Sequence, residues 1–130
     1  MSEKKYNYKN LDAYKESKNL VKAVYGLLRQ FPKEEQYALC DQLRRAVISV
    51  PSNIAEGSGR TSMKDQAHFF EMAYGSLMEV DCQMDIAHDL GYIGQTELDD
   101  IEKRVGVVAS ILSGLRSKCL SLNTNSLNTK

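Results

Sequence analysis

Two Asp-x-x-His pairs are the residues whose types and spacing come nearest to a metal site: Asp65 with His68, and Asp85 with His88. On a helix, each pair places a carboxylate and an imidazole on one face, as the metal-binding side chains of helical bundles do. The pairs are twenty residues apart, which is about 30 Å of helix, so they cannot share one ion. The alternative is a solvated acidic face. We therefore expect no metal and no other cofactor.

The stretch SVPSNIAEGSGR, residues 49–60, raises the question of a phosphate-binding loop at GSGR, residues 57–60. Such a loop follows a strand and has the spacing GxxxxGK[ST], and this stretch has neither. The apolar spacing instead continues through Pro51 without a change of phase, which indicates a second helix that is kinked there. We interpret Gly57 and Gly59 as a left-handed turn at the end of that helix.

The sequence offers no catalytic pair of nucleophile and base, and we predict that the protein is not an enzyme. The three cysteines, Cys40, Cys82 and Cys119, fit no zinc or redox spacing and are expected to be reduced and mostly buried. No secretory signal and no apolar run of membrane-spanning length is evident. These features predict a cytoplasmic protein with no membrane partner.

Charge is divided unevenly along a chain of 130 residues whose net charge is zero. Residues 1–64 hold 12 Lys/Arg and 7 Asp/Glu, giving +5, whereas residues 65–130 hold 5 and 10, giving −5. The two halves either pair within or between subunits, or the basic half faces an anionic partner. Overall neutrality argues against strong non-specific binding to nucleic acid.

Four basic residues are the candidates for contact with nucleic acid: Arg44, Arg45, Arg60 and Lys64. Arginine and lysine are the side chains that contact phosphate most often. In the structural alternative, Arg60 pairs with Glu56, and Arg44 or Arg45 pairs with an acidic residue of the third helix. The residue types leave both interpretations open.

Apolar residues recur at spacings of three and four in four segments, which predicts four helices. We predict an all-α protein with one domain, residues 1–122, folded as an antiparallel up-down-up-down four-helix bundle. Residues 123–130 are predicted to be a flexible polar tail. The apolar segments run from Leu11 to Leu28, Leu39 to Ile54, Phe70 to Ala87, and Leu98 to Leu122.

Proline, glycine and capping residues predict where these helices begin and end. Pro32 is well placed to begin the second helix. Ser62 and Thr96 are predicted to cap the third and fourth helices, and Gly91 is predicted to end the third.

Three further residues are predicted to shape the bundle. Asn53 and Glu56 are interpreted as buried polar residues that fix the kink. Gly75 lies inside the third helix, where glycine costs about 1 kcal/mol relative to alanine. A close helix crossing, near the Pro51 bend or against a neighbouring subunit, would explain it.

Several apolar residues lie off the main stripes. They indicate either a wide arc that faces the core or a subunit interface. They are Tyr25, Tyr37, Ile48, Phe69, Ile86, Ile93, Val107 and Ile111.

Three stretches carry a resemblance to a known family: residues 44–60 (RRAVISVPSNIAEGSGR), residues 10–46 (NLDAYKESKNLVKAVYGLLRQFPKEEQYALCDQLRRA) and residues 69–93 (FFEMAYGSLMEVDCQMDIAHDLGYI). They resemble the four helix bundle proteins encoded in intervening sequences of bacterial 23S rRNA genes, once labelled S23-type ribosomal proteins. The resemblance covers most of residues 8–95, and the fourth helix matches in pattern alone.

The resemblance implies a four-helix bundle protomer that assembles into a homopentameric ring. The same superfamily is identified as including the accessory variability determinants of diversity-generating retroelements, in which a basic surface binds nucleic acid and a reverse transcriptase. Those relatives are strongly basic, whereas this chain is neutral. The resulting hypothesis is a non-enzymatic oligomer that binds structured RNA or DNA, or a nucleoprotein, through a basic surface. The alternative is a protein–protein interaction scaffold that binds no nucleic acid.

Overall fold

The computed structural model describes the backbone of residues 6–128 and the side chains of residues 6–124. Within that part of the chain there is no β-strand, and the predicted all-α class with four helices is confirmed. The helices are α1 (Asp12–Leu28), α2 (Leu39–Ser58), α3 (Met63–Asp89) and α4 (Gln95–Asn128), with short 3-10 turns at Asn7–Asn10 and Lys33–Glu35.

One apolar core is shared by all four helices, and its residues follow the spacing of three and four seen in the sequence. Burying one such side chain contributes about 1.5–3 kcal/mol, so this core is the main source of stability. The largest fully buried side chains include Leu20 in α1, Leu43 and Ile54 in α2, Leu77 and Met84 in α3, and Ile101 and Leu112 in α4.

Each helix packs mainly on two neighbours. α2 packs on α1 and α3, and α4 packs on α3 and α1, so α1 and α3 lie at opposite corners of the bundle. Along the contact between α2 and α3, Gln42 meets Gln83 and Ser49 meets Ser76. The residue number on α3 therefore falls as the number on α2 rises.

The second helix begins seven residues later than the prediction at Pro32, because α2 starts at Leu39. Pro32 instead precedes the 3-10 turn Lys33–Glu35, and Ala38 has φ −122° and ψ −99°, which is not helical. The Gln36 side chain donates to the carbonyl oxygens of Leu28 and Phe31. These hydrogen bonds hold the connection between α1 and α2 against the end of α1. The conformation of the connection is therefore decided by these contacts and not by local helix preference.

Gly57 and Gly59 do not form the predicted left-handed turn. Gly57 lies inside α2 and is buried, and Gly59 has φ −86°, which any residue can adopt. A Cβ added at Gly57 would lie 2.8 Å from the Cβ of Phe69, so glycine is required here by the close approach of α3. Gly91, with φ +81°, does occupy the left-handed region just after α3, as predicted for that helix end.

Of the two predicted N-terminal helix caps, the structure contains the one on α3 and not the one on α4. The Ser62 hydroxyl accepts a hydrogen bond from the Asp65 amide at 3.0 Å, which confirms the first cap. Thr96 is not a cap, because α4 already begins at Gln95. The Glu97 carboxylate instead accepts the Gly94 amide at 2.8 Å and the Gln30 side chain at 2.9 Å. These two hydrogen bonds lower the pKa of Glu97.

The fourth helix departs from the sequence analysis in two ways. It extends to Asn128, so residues 123–128 of the predicted polar tail are helical, and residues 129–130 lie outside the described residues. By length and composition alone, the stretch Gln95–Thr124 could also cross a membrane, which corrects the expectation that no segment passes such a test. Small residues alternate there with Val, Ile and Leu, so its average hydropathy is high although each apolar run is short. α4 packs against α1 and α3 as a bundle helix does.

Replacing Gly57 tests the close approach of α2 to α3. We expect Gly57→Ala to lower the free energy of unfolding by about 1–3 kcal/mol, because its methyl group collides with Phe69 and Phe70. Urea denaturation followed by circular dichroism, at a fixed protein concentration, measures the change. Gly106→Ala on α4 is the matched control, since nothing lies within 4 Å of its added Cβ. Gly106→Ala should raise the free energy of unfolding by about 1 kcal/mol. An equal change in the free energy of unfolding for both variants would contradict a steric role for Gly57.

Candidate functional site

Polar side chains line the contact between α2 and α3. Gln83 donates to the Gln42 side chain at 3.0 Å and to the Glu79 carboxylate at 3.2 Å, and its own oxygen is buried without a partner in the described residues. The hydroxyls of Ser49 and Ser76 share a hydrogen bond of 2.8 Å. These bonds join the two helices at defined points, so the outer faces of α2 and α3 are held in a fixed register.

Pro51 lies within α2 and is buried. Proline has no backbone N–H, so the Val47 carbonyl loses the hydrogen bond it would normally accept. One turn away, the Asn53 side chain donates to the backbone oxygen and to the hydroxyl of Ser49, both at 2.9 Å. Asn53 is half-buried and tied to the helix beside Pro51, whereas Glu56 is exposed and is not the buried residue that was predicted.

Arg44 is held by its own surroundings. Its guanidinium donates to the Asp41 carboxylate at 2.6 Å and to the backbone and side-chain oxygens of Gln36 at 3.0 and 2.9 Å. The acidic partner lies on α2 itself, not on α3 as the structural alternative supposed. Arg44 therefore fastens the start of α2 to the preceding turn.

The other three predicted cations do not converge on one patch. Arg45 is exposed beside a polar groove that Gln42 and Glu79 also line. Arg60 lies 3.7 Å from Glu56, as the structural alternative predicted, and its guanidinium sits 4.4 Å from the centre of the Phe69 ring. Lys64 is exposed at the start of α3.

Helix geometry separates these residues along the bundle. Arg45 and Arg60 are fifteen residues apart, about 22 Å at helical rise. A single small ligand cannot reach both. A partner that contacts the whole set must carry negative charge over at least that distance.

The two Asp-x-x-His pairs sit at opposite ends of α3. Asp65 lies in the first turn, and the His88 ring nitrogen is 3.9 Å from Asp89 in the last. In the part of the chain that the structure describes, no group of three or more His, Cys, Asp or Glu side chains could hold a metal ion. Cys40 and Cys119 are buried as expected, but Cys82 is exposed.

A second surface, which no sequence motif marks, is a groove of about 440 Å³ between α1 and α2. Its lining is mostly apolar, with two lysines, Lys18 and Lys22, one helical turn apart on α1. The Lys18 ammonium lies 5.1 Å from the centre of the Tyr14 ring, a favourable cation–π arrangement. In the sequence, this groove corresponds only to two lysines at positions i and i+4 near a tyrosine. The exposed face of many helices shows the same pattern, so it does not predict a groove.

Comparison with known families agrees with this architecture. A family model described as 23S rRNA-intervening sequence protein matches residues 9–114. The chain belongs to the 23S rRNA-intervening sequence protein family. The family match spans α1, α2, α3 and much of α4, so it includes both the polar contact of α2 with α3 and the groove between α1 and α2. A search of curated proteins finds no match.

The adjacent arginines Arg44 and Arg45 provide an internal comparison of a structural and a surface role. We expect Arg44→Ala to lower the free energy of unfolding by about 1–2 kcal/mol, because it leaves the polar groups of Gln36 and Asp41 without their donor. Arg45→Ala should change it by less than about 0.5 kcal/mol. Urea denaturation of both variants measures the difference. A larger loss for Arg45→Ala would show that the roles are reversed.

Proposed function

We propose that this member of the 23S rRNA-intervening sequence protein family is a non-catalytic scaffold whose copies assemble into a closed ring, a homopentamer. The observation that carries the assembly is apolar surface left outside the core, and the number five is what the family resemblance implies. Ile48, Ile86 and Val107 are 43%, 44% and 40% exposed, and Met72 and Met78 are also exposed. Isolated exposed apolar residues are common, but several on the outer faces of a small bundle favour an interaction surface.

The proposal includes the finer architecture of the protomer: an antiparallel up-down-up-down bundle with α2 bent at Pro51. Two observations support the antiparallel order. The connections of residues 59–62 and 90–94 are short, and short connections favour antiparallel neighbours. The Gln30 side chain near the end of α1 also donates to Glu97 near the start of α4. The bend is supported by the missing donor at Pro51 and by the extra hydrogen bonds that Asn53 makes there.

Mass in solution tests the assembly. By size-exclusion chromatography with light scattering, we expect a mass about five times the 14.6 kDa of one chain. The assembly should persist when salt is raised, because burial of apolar surface is not screened. A mass of one chain at every concentration measured would contradict the proposal.

Binding of structured nucleic acid is the second candidate function, and a specific observation favours it. Arg45 and Lys64 are exposed, and the part of the chain described by the structure shows no ion pair for either. Both belong to residues 1–64, which carry the +5 charge. In a ring, the same cations would recur on every copy and could follow a long phosphate backbone.

Fluorescence anisotropy with a labelled structured RNA at two salt concentrations tests this second function. Binding should weaken as salt rises, and Arg45→Ala/Lys64→Ala should weaken it further and lower the salt slope by about 1 for each phosphate that the variant no longer neutralises. Lys103→Ala/Arg104→Ala removes the same charge on the side of α4 that faces α1 and should have little effect. RNA binding that is absent at low salt, or that responds equally to both double variants, would rule out this site.

A further inference from the structure

We propose that the groove between α1 and α2 of one copy receives the outer face of α3 of the next copy, an inference that rests on the assembly proposed above. The α1/α2 groove is the surface lined by Tyr14, Lys18, Val21, Lys22, Ile48 and Ser52. The α3 face consists of Gly75, Met78, Glu79, Cys82, Asp85 and Ile86, which are all exposed and recur at spacings of three and four.

The chemistry of the groove calls for an apolar partner that carries negative charge. Tyr14, Val21 and Ile48 supply apolar surface, and Lys18 and Lys22 lie along the α1 side. Within the described residues, neither lysine forms an ion pair. An apolar partner without acidic groups would leave the ammonium groups of Lys18 and Lys22 without a charged partner. A face that combines apolar and acidic side chains therefore complements the groove better.

The α3 face has that composition. Met78 and Ile86 are exposed, and they are flanked by the carboxylates of Glu79 and Asp85. The described residues show no ion pair for either carboxylate, although Glu79 accepts a hydrogen bond from Gln83. Methionine adapts its shape to a partner surface, which suits it to the centre of an interface.

The position of the two surfaces requires a second copy. α1 and α3 lie at opposite corners of the bundle, so the α1/α2 groove and the α3 face cannot meet within one protomer. They also differ from each other in charge, so each is complementary to the other and not to itself. A contact of this kind is head-to-tail, and repeated head-to-tail contacts produce a ring or a filament. The division of charge into a basic first half and an acidic second half agrees with this arrangement.

Gly75 leaves open space on the α3 face. It is exposed within a long helix, and nothing lies within 4 Å of a Cβ added there, so no contact inside the protomer requires glycine. This corrects the expectation of a close crossing within one protomer. Gly75 therefore leaves room for a neighbouring copy to approach the α3 face, although Gly106 on α4 is equally open and glycine alone does not select the face.

Charge reversal tests the contact. Lys18→Glu/Lys22→Glu makes the groove acidic, and Glu79→Lys/Asp85→Lys makes the α3 face basic, so each double variant opposes like charges across the interface. Both should lose the wild-type mass in light scattering while circular dichroism stays helical. The chain with all four changes should recover that mass, because its two surfaces are complementary again. Lys103→Glu/Lys118→Glu on α4 is the matched control and should keep the wild-type mass.

A steric variant tests the same interface without a change of charge. Gly75→Gln should reduce assembly, because its side chain occupies the space left for the neighbouring copy. Gly106→Gln is the control on α4, where glycine is likewise exposed and without near neighbours. Equal assembly of both variants would overturn the role of the α3 face.

The outcomes separate this inference from the proposed function. Wild-type protein that is monomeric overturns both. Assembled wild-type protein whose mass is unchanged by either charge-reversal variant overturns the assignment of the two surfaces and leaves the scaffold proposal standing. Failure of the fourfold variant to reassemble while remaining helical also overturns the assignment. Loss of RNA binding without a change in mass in Lys18→Glu/Lys22→Glu would assign the groove to nucleic acid instead.

Discussion

The close packing of α2 on α3 is the constraint on which the other features of this bundle depend. Gly57 lets the end of α2 approach Phe69, and Ser49 bonds to Ser76 farther along. These contacts fix the register of two helices that each carry part of the outer surface. Pro51 lies between these two contacts on α2 and lines the groove that α2 forms with α1.

The bundle separates two kinds of surface at opposite corners. The corner at α1 is basic and partly aromatic, and the corner at α3 is acidic and rich in methionine. A neutral chain with this division has little attraction for a polyanion as a whole, and in the proposed assembly the two corners of neighbouring copies would face each other. The proposed assembly would bring Lys18 and Lys22 of one copy to Glu79 and Asp85 of the next, whereas Lys64, at the start of α3, would lie outside both surfaces.

The sequence predicted the number of helices and their buried stripes because both depend on a periodic pattern that many residues repeat. It failed where a specific contact between particular side chains or helices decides the structure. Glycine is common in turns, but Gly57 is required for a steric reason, because α3 approaches it closely. Arg44 looks like a ligand-binding residue until its hydrogen bonds to Gln36 are seen. Lys18 and Lys22 do not stand out in the sequence, because only the fold shows that they border an apolar groove.

Thiol cross-linking between copies tests the head-to-tail contact most directly. Cys82 is exposed on the α3 face, Cys40 and Cys119 are buried, and Ser52 lines the α1/α2 groove. With a short bis-maleimide, Ser52→Cys should yield a ladder of covalent oligomers up to the size of the assembly, whereas Ser110→Cys on the exposed side of α4 should yield few. Assembled protein in which Ser52→Cys cross-links no better than Ser110→Cys would contradict the account.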